Sequence, residues 1–323
     1  MKLPPIQTPS SSFKTIYDWA DKFTNAQWDI FWKHTDYKMS DDLHSFRTDL
    51  TKPERLMIIE SQVIFQHYEV RLGEFWNSRF KQIFPRYEFD RLGSTFGAME
   101  SGVHSPFYIA MTDALGFNTE EFHDKAYLDT VLSRRLEFVT QAIRGDDDLH
   151  CLGAICFLEG TALFSALAAL MSFRKPGGIN AMTNMVSGIV HSCADEQLHS
   201  QASAACFKAL KDELKLTEED SIKLFNAIYK VAIDIVAHEI LIIEKLFSFG
   251  EIRAITKEDM ITFVKHRADE CLKMLGYEPI YNIKDNPIGE WFYVLVNSYN
   301  FGDFFVASQK DYSKTVNSDR FTW

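Results

Sequence analysis

Asp195-Glu196-Gln197-Leu198-His199 is the stretch that decides the fold. Glu196 and His199 stand three residues apart, which turns both side chains to one side of a helix. Ile189, Val190, Cys193, Ala194 and Leu198 make the surroundings apolar. A carboxylate buried there without a partner is costly, and a cation is the partner that also suits a histidine. An exposed polar face with a satisfied histidine would use the same two residue types, and the apolar neighbours weigh against it.

Three further stretches carry matching groups. Glu100 and His104 are four apart, a separation of roughly 40° around a regular helix. Three before His104 stands Ser101. Either Glu100 is the ligand, realigned if need be by a local π-bulge, or Ser101 faces the metals and the site has five ligands. Glu159 lies in an apolar segment with no basic residue between Cys151 and Arg174 to pair with it. Glu69 also lies in an apolar segment, although His67 and Arg71 close by leave room for a plain surface role. Two carboxylate–histidine pairs and two single carboxylates on four helices form the ligand set of a dinuclear metal site inside a helix bundle. Carboxylates bridge two cations, and imidazole suits iron and manganese. Asp195 is placed to accept the second ring proton of a ligating histidine. Tyr108, one turn past His104, shares its face and lies within range of oxidation.

Hydrophobic periodicity predicts helices almost throughout. Thr51-Lys52-Pro53-Glu54 is a capping box opening a helix that runs to about Phe84, before Pro85. Further helices are expected over about 89–115, 118–145, 149–173 and 179–214. Thr217 with Asp220, and Thr256 with Asp259, open two more. Residues 1–15 read as a loose arm, Asn286-Pro287 begins an irregular end, and the chain from about 308 to 323 reads as a mobile tail. With no strand alternation and no internal repeat, the expected organisation is one all-α domain over 1–323.

Composition narrows the function. The 323 residues are 46% hydrophobic, enough for a sizeable core, and carry a formal charge of −11. That charge is unsuited to nucleic-acid binding, which needs a basic patch. The five cysteines form no CxxC pair and read as reduced thiols of a cytoplasmic protein. The start has no signal-type apolar run. The richest apolar stretch, Leu152 to Phe173, is broken by Glu159 and Gly160, so no membrane span is expected. His238-Glu239 is a decoy, since adjacent residues face apart on a helix. Asp146-Asp147-Asp148 reads as a solvated charge run. Neither a phosphate-binding glycine loop nor a GxSxG elbow is present.

These residues resemble a family. Asp195-Glu196-Gln-Leu-His199 is similar to the D-E-x-x-H motif of the small, radical-generating subunit of class I ribonucleotide reductase, a ferritin-like helix bundle. His104-Ser-Pro-Phe-Tyr108 resembles that family's histidine followed four residues later by the radical tyrosine. Leu158-Glu159 looks like its third carboxylate, and Pro53-Glu54-Arg55 leading to Glu69 like the helix carrying the first. The similarity runs from about Trp28 to Tyr312. It implies a dinuclear centre (Fe/Fe, Mn/Fe or Mn/Mn) held by Glu69, Glu100, His104, Glu159, Glu196 and His199, with a radical stored on Tyr108. It implies an electron path through His104, Asp195 and Trp32, and a radical relay at Tyr312 in the tail. The implied partners are a large catalytic subunit that reduces ribonucleotides and a second copy of the chain. Glu69 stands where many members have aspartate. Two alternatives share the bundle: a ferritin-like oxidase or monooxygenase without a large subunit, and a ligand-binding oxidase whose cross-linking valine and tyrosine are here Arg71 and Ala154.

Overall fold

The computed structural model describes residues 3–297, and every regular element among them is helical. In chain order these are α1 (Asp18–Asp29), α2 (Leu43–Thr48), α3 (Lys52–Glu74), α4 (Phe80–Ile83), α5 (Tyr87–Met99), α6 (Ser105–Leu115), α7 (Glu120–Leu128), α8 (Thr130–Arg144), α9 (Asp148–Gly160), α10 (Phe164–Met171), α11 (Thr183–Leu214), α12 (Glu218–Phe247) and α13 (Lys257–Met274). α3, α5–α6, α9 and α11 carry the candidate ligands. α1 lies across α5 and α11, and α12 and α13 back the α9–α10 column.

The ends of these helices follow from local chemistry. Thr51 Oγ1 accepts the Glu54 N–H, and the Glu54 carboxylate accepts the Thr51 N–H, the reciprocal pair expected of a capping box. The helix expected over 118–145 is two helices, because the Asp129 carboxylate accepts the Val131 and Leu132 N–H groups and starts α8 afresh. π turns interrupt two of the long helices, at Phe75–Arg79 after α3 and at Glu100–His104 between α5 and α6.

The apolar segment 149–173 is broken at 161–163, between α9 and α10. Arg135 of α8 supplies what the break needs: its guanidinium donates to the Ala162 carbonyl and to Glu239 of α12, and lies over the Tyr68 ring. Ser165 donates to the other Glu239 oxygen at 2.5 Å. His238, the other half of the decoy pair, accepts from Arg135 Nε at 3.4 Å, so the two neighbours converge on one guanidinium after all. Burial pushes the Glu239 carboxyl up to about 7, against the pull of Arg135. Removing one member of a buried ion pair strands the other, so Arg135→Met is expected to destabilise the fold by about 3–5 kcal/mol. Urea unfolding measures this, and a loss below about 1 kcal/mol would contradict it.

Asp148–Arg174 is long and apolar enough to cross a membrane, yet its most apolar window is 100% buried within the bundle. It is the column around which the other helices pack. The two ends of the chain depart from expectation. Residues 3–15 are fastened rather than loose. Ile6 is fully buried, its N–H donates to Glu213 at 2.7 Å, and Arg86 holds the Thr8 carbonyl. Burial of Ile6 together with the Glu213 and Arg86 hydrogen bonds docks it. Residues 287–297 are helical rather than irregular, since Pro287 takes the first helical position and Ile288, Phe292 and Val296 recur at helical spacing and are buried. Tyr312 and the tail from 308 lie outside the described residues.

Candidate metal centre

α3 brings Glu69, the π turn Glu100 and His104, α9 Glu159, and α11 Glu196 and His199, and all six side chains are fully buried. The extra residue between Glu100 and His104 is absorbed by the π turn, in which the Ser105 N–H reaches back five residues to the Glu100 carbonyl. Both side chains therefore point inward. Ser101 is exposed, and its hydroxyl donates to the Gly97 carbonyl at 2.7 Å.

The six groups form two overlapping sets. Glu69, Glu100, His104 and Glu196 offer ligand atoms within 4.8 Å of one another, as do Glu100, Glu159, Glu196 and His199. Glu100 and Glu196 belong to both sets, the position of bridging carboxylates. His104 Nδ1 lies 3.1 Å from both Glu100 Oε2 and Glu196 Oε1 and 3.7 Å from Glu69 Oε2. His199 Nδ1 lies 2.6 Å from Glu100 Oε1, 3.7 Å from Glu196 Oε2 and 4.0 Å from Glu159 Oε2.

The electrostatics suit a cation. Burial, then Glu196 and Glu100, push the Glu69 and Glu159 carboxyls well above the usual range. Burial acts the same way on Glu100 and Glu196, but the imidazoles of His104 and His199 outweigh it and draw both down. In return the carboxylates raise His104 well above its ordinary value, and His199 to about 9, against burial. Both oxygens of Glu69 and of Glu196, Glu100 Oε1, Glu159 Oε2 and His199 Nδ1 are buried with no hydrogen bond. Buried polar atoms are almost always satisfied. Seven orphaned donor atoms aimed at one spot are a ligand set, and two divalent ions would balance the charge of the four carboxylates.

The outer groups set the imidazole tautomers. Asp195 Oδ2 accepts from His104 Nε2 at 2.9 Å and from Trp32 Nε1 at 2.8 Å, and Asp195 Oδ1 accepts from Gln27 Nε2 at 2.6 Å. The Gln27 carbonyl in turn faces His199 Nε2 at 3.0 Å. With a metal bound, each ring would donate from Nε2 outward and turn its Nδ1 lone pair inward. Trp32 is buried and stacks on His104 with ring centroids 5.9 Å apart. Tyr108 is buried, stacked on Phe65 at 4.5 Å, and shares a hydrogen bond with Ser192 Oγ at 3.0 Å. Burial, then the Glu69 charge, keep its phenol protonated.

Sequence reasoning missed Gln27, Trp76 and Ser192. Trp76 Nε1 donates to Glu159 Oε1 at 2.7 Å. Its position two turns after Glu69 was the available signal; for Gln27 and Ser192 there was none. Trp76→Phe leaves Glu159 free to swing, and loss of such an orienting bond costs about 10–100-fold in metal affinity. Competition with a chelator reads this out, and unchanged affinity would mean that Trp76 only fills space.

A family model described as ribonucleotide reductase, small chain, matches residues 10–287. The chain belongs to this family. It is a ribonucleotide reductase small subunit, an oxidoreductase component with a dinuclear metal centre, and a small chain works with a large one. Over 95% of its length this small subunit is 24% identical to "Probable ribonucleoside-diphosphate reductase small subunit 048L" of Invertebrate iridescent virus 3, of which the alignment covers 84%. It is 23% identical, over 46% of its length and 44% of the relative, to ribonucleoside-diphosphate reductase 2 subunit beta of Escherichia coli. In fold it is similar to the dimanganese(II)-NrdF of Streptococcus sanguinis, with a TM-score of 0.77 at 18% identity, covering 88% of this chain and 99% of that one. The R2 subunit of Clostridium botulinum gives 0.74 at 19% identity over 87% and 88%. The ferritin-like bundle expected from the resemblance is therefore the fold, and nothing favours an oxidase unconnected to a large subunit.

Proposed function

We propose that Glu69, Glu100, His104 and Glu196 hold one metal ion and Glu100, Glu159, Glu196 and His199 the other, and that Tyr108 stores the radical used for ribonucleoside diphosphate reduction. The reading rests on one observation above all, the convergence of seven orphaned ligand atoms in a fully buried core. When bound, a pair of iron or manganese ions supplies the oxidising power that oxygen chemistry needs. The residues do the rest. Burial and stacking on Phe65 keep water from the Tyr108 ring while it lacks an electron, and Ser192 Oγ orients its O–H. Asp195 joins His104 to Trp32 through one carboxylate oxygen, a hydrogen-bonded path for an electron travelling between the centre and the outer helices. Tyr312 would relay the radical onward to the large catalytic subunit. The net charge of −11 and the burial of the apolar Asp148–Arg174 column support a cytoplasmic protein that binds neither membrane nor nucleic acid. A homodimer is the proposed assembly.

Mixing the metal-loaded chain with its cognate large subunit and a ribonucleoside diphosphate is expected to yield deoxyribonucleotide, with neither subunit active alone. Failure with iron, with manganese and with both together would count against the reading. Asp195→Asn keeps the shape but weakens the carboxylate acceptor shared by His104 and Trp32. Turnover with the large subunit is expected to fall while two metals per chain remain bound; undiminished turnover would take Asp195 out of the path.

A further inference from the structure

All five cysteines are free and buried, and the metal centre uses none of them. Two of them meet. Cys271 Sγ of α13 lies 3.5 Å from the carbonyl of Cys156 in α9, and Ser200 Oγ stands between the two thiols, 3.5 Å from Cys156 Sγ and 3.9 Å from Cys271 Sγ. Thr161 Oγ1 approaches Cys271 Sγ at 3.4 Å. One turn before Cys271, the buried Arg267 guanidinium is held by the Gly160 carbonyl at 2.8 Å and by the Phe164 ring.

The two thiols differ in kind from the other three. Burial pushes Cys151 up to about 12 and raises Cys193 and Cys206 well above the ordinary range. Burial pushes on Cys271 as well, but the Cys156 thiol, the Arg267 charge and the hydroxyls of Thr161 and Ser200 bring it down to about 7. Cys156 is raised, which suits the donor of the pair. A thiol held low beside a second thiol that shares its hydroxyl and carbonyl neighbours is the arrangement of a nucleophilic and a resolving cysteine.

We propose that Cys156 and Cys271 are a two-electron redox pair that closes to a disulfide when hydrogen peroxide enters the core. The Cys271 thiolate attacks one peroxide oxygen, the O–O bond breaks, and the departing hydroxide takes up a proton to leave as water. The Cys271 sulfenic acid is then attacked by Cys156 sulfur; the S–S bond forms, the S–O bond breaks, and the hydroxyl leaves with the Cys156 proton as a second water. In sum two thiols are oxidised by two electrons and one peroxide is reduced to two waters. The bridge would tie α9 to α13 beside Gly160, whose α-carbon faces Cys271 Sγ directly and whose neighbour is Glu159. The pair thus gives the helix that carries Glu159 a covalent setting that depends on oxidant. It stands independently of the metal reading.

The full-length chain is treated with hydrogen peroxide, with and without bound metal, then blocked with N-ethylmaleimide under denaturing conditions and digested without reductant. The expected result is a linked Cys156–Cys271 peptide and a fall from five alkylatable thiols to three, reversed by dithiothreitol. Closing a loop across these positions also speeds migration on a non-reducing gel. Cys271→Ser should abolish the link and the gel shift, and because the peptide map is made on the unsubstituted chain, a variant that fails to fold leaves the test intact. Five thiols still free after peroxide, or oxidation that falls on Cys151, Cys193 or Cys206 instead, would overturn the proposal.

Discussion

Tyr108→Phe abolishes the tyrosyl signal in electron paramagnetic resonance of the oxygen-exposed, metal-loaded protein, and deoxyribonucleotide formation with the large subunit falls to background. The substitution leaves the ring packing in place. The phenylalanine ring keeps its stack on Phe65 and its edge contact with Phe107. What is lost is one hydrogen bond to Ser192, whose buried hydroxyl is left without that partner, a cost of about 1–3 kcal/mol. Among the described residues the Tyr108 hydroxyl pairs with Ser192 and with none of the six candidate ligands, so two metals per chain should still load. Loss of the signal with full metal content is therefore the signature of a radical store rather than of a damaged site. A tyrosyl signal of unchanged shape and yield in the variant would place the radical on another residue.

Glu196→Ala has a large expected effect on metal content, because Glu196, like Glu100, belongs to both four-residue sets. Metal analysis is expected to fall from two ions per chain to fewer than one. The metal-free variant should still fold as a helix bundle. Removing Glu196 relieves its repulsion of Glu69 and Glu159 but also takes a carboxylate partner from His104 and His199, so the two effects oppose each other. Bound metal stabilises the native state by about 2.7 kcal/mol at a hundredfold excess over Kd. Manganese should thus raise the Tm of the unsubstituted chain and leave that of the variant nearly unmoved. Two ions retained per chain, or a metal-free variant that is already unfolded, would contradict this. Glu69→Ala is the milder companion, since Glu69 lies in one set and should cost one ion.

The sequence carried the bundle and the site to different depths. The Asp195-to-His199 stretch and the lone Glu159 were legible because charge in an apolar helix needs a partner, and that constraint acts within a few residues. The Glu100–His104 spacing was legible only as a choice between Glu100 and Ser101. Backbone hydrogen bonding resolves it, through a π turn that periodicity alone does not fix. The breaks at Asp129 and at 161–163 were hidden for a different reason. One depends on a side-chain cap inside an otherwise continuous helical pattern, the other on Arg135 arriving from a separate helix to satisfy the freed carbonyl. Gln27 belongs to the same class, since its pairing with Asp195 and His199 spans more than 160 residues of sequence. The docking of Ile6 and the helix over 287–297 likewise depend on where the rest of the chain lies.

The most direct measurement is anomalous diffraction from crystals of the manganese-loaded protein. Two peaks are expected inside the bundle, one among Glu69, Glu100, His104 and Glu196 and the other among Glu100, Glu159, Glu196 and His199, with Glu100 and Glu196 between them. A single peak, or peaks only at surface carboxylates with these six side chains left unligated, would contradict a dinuclear centre in this core.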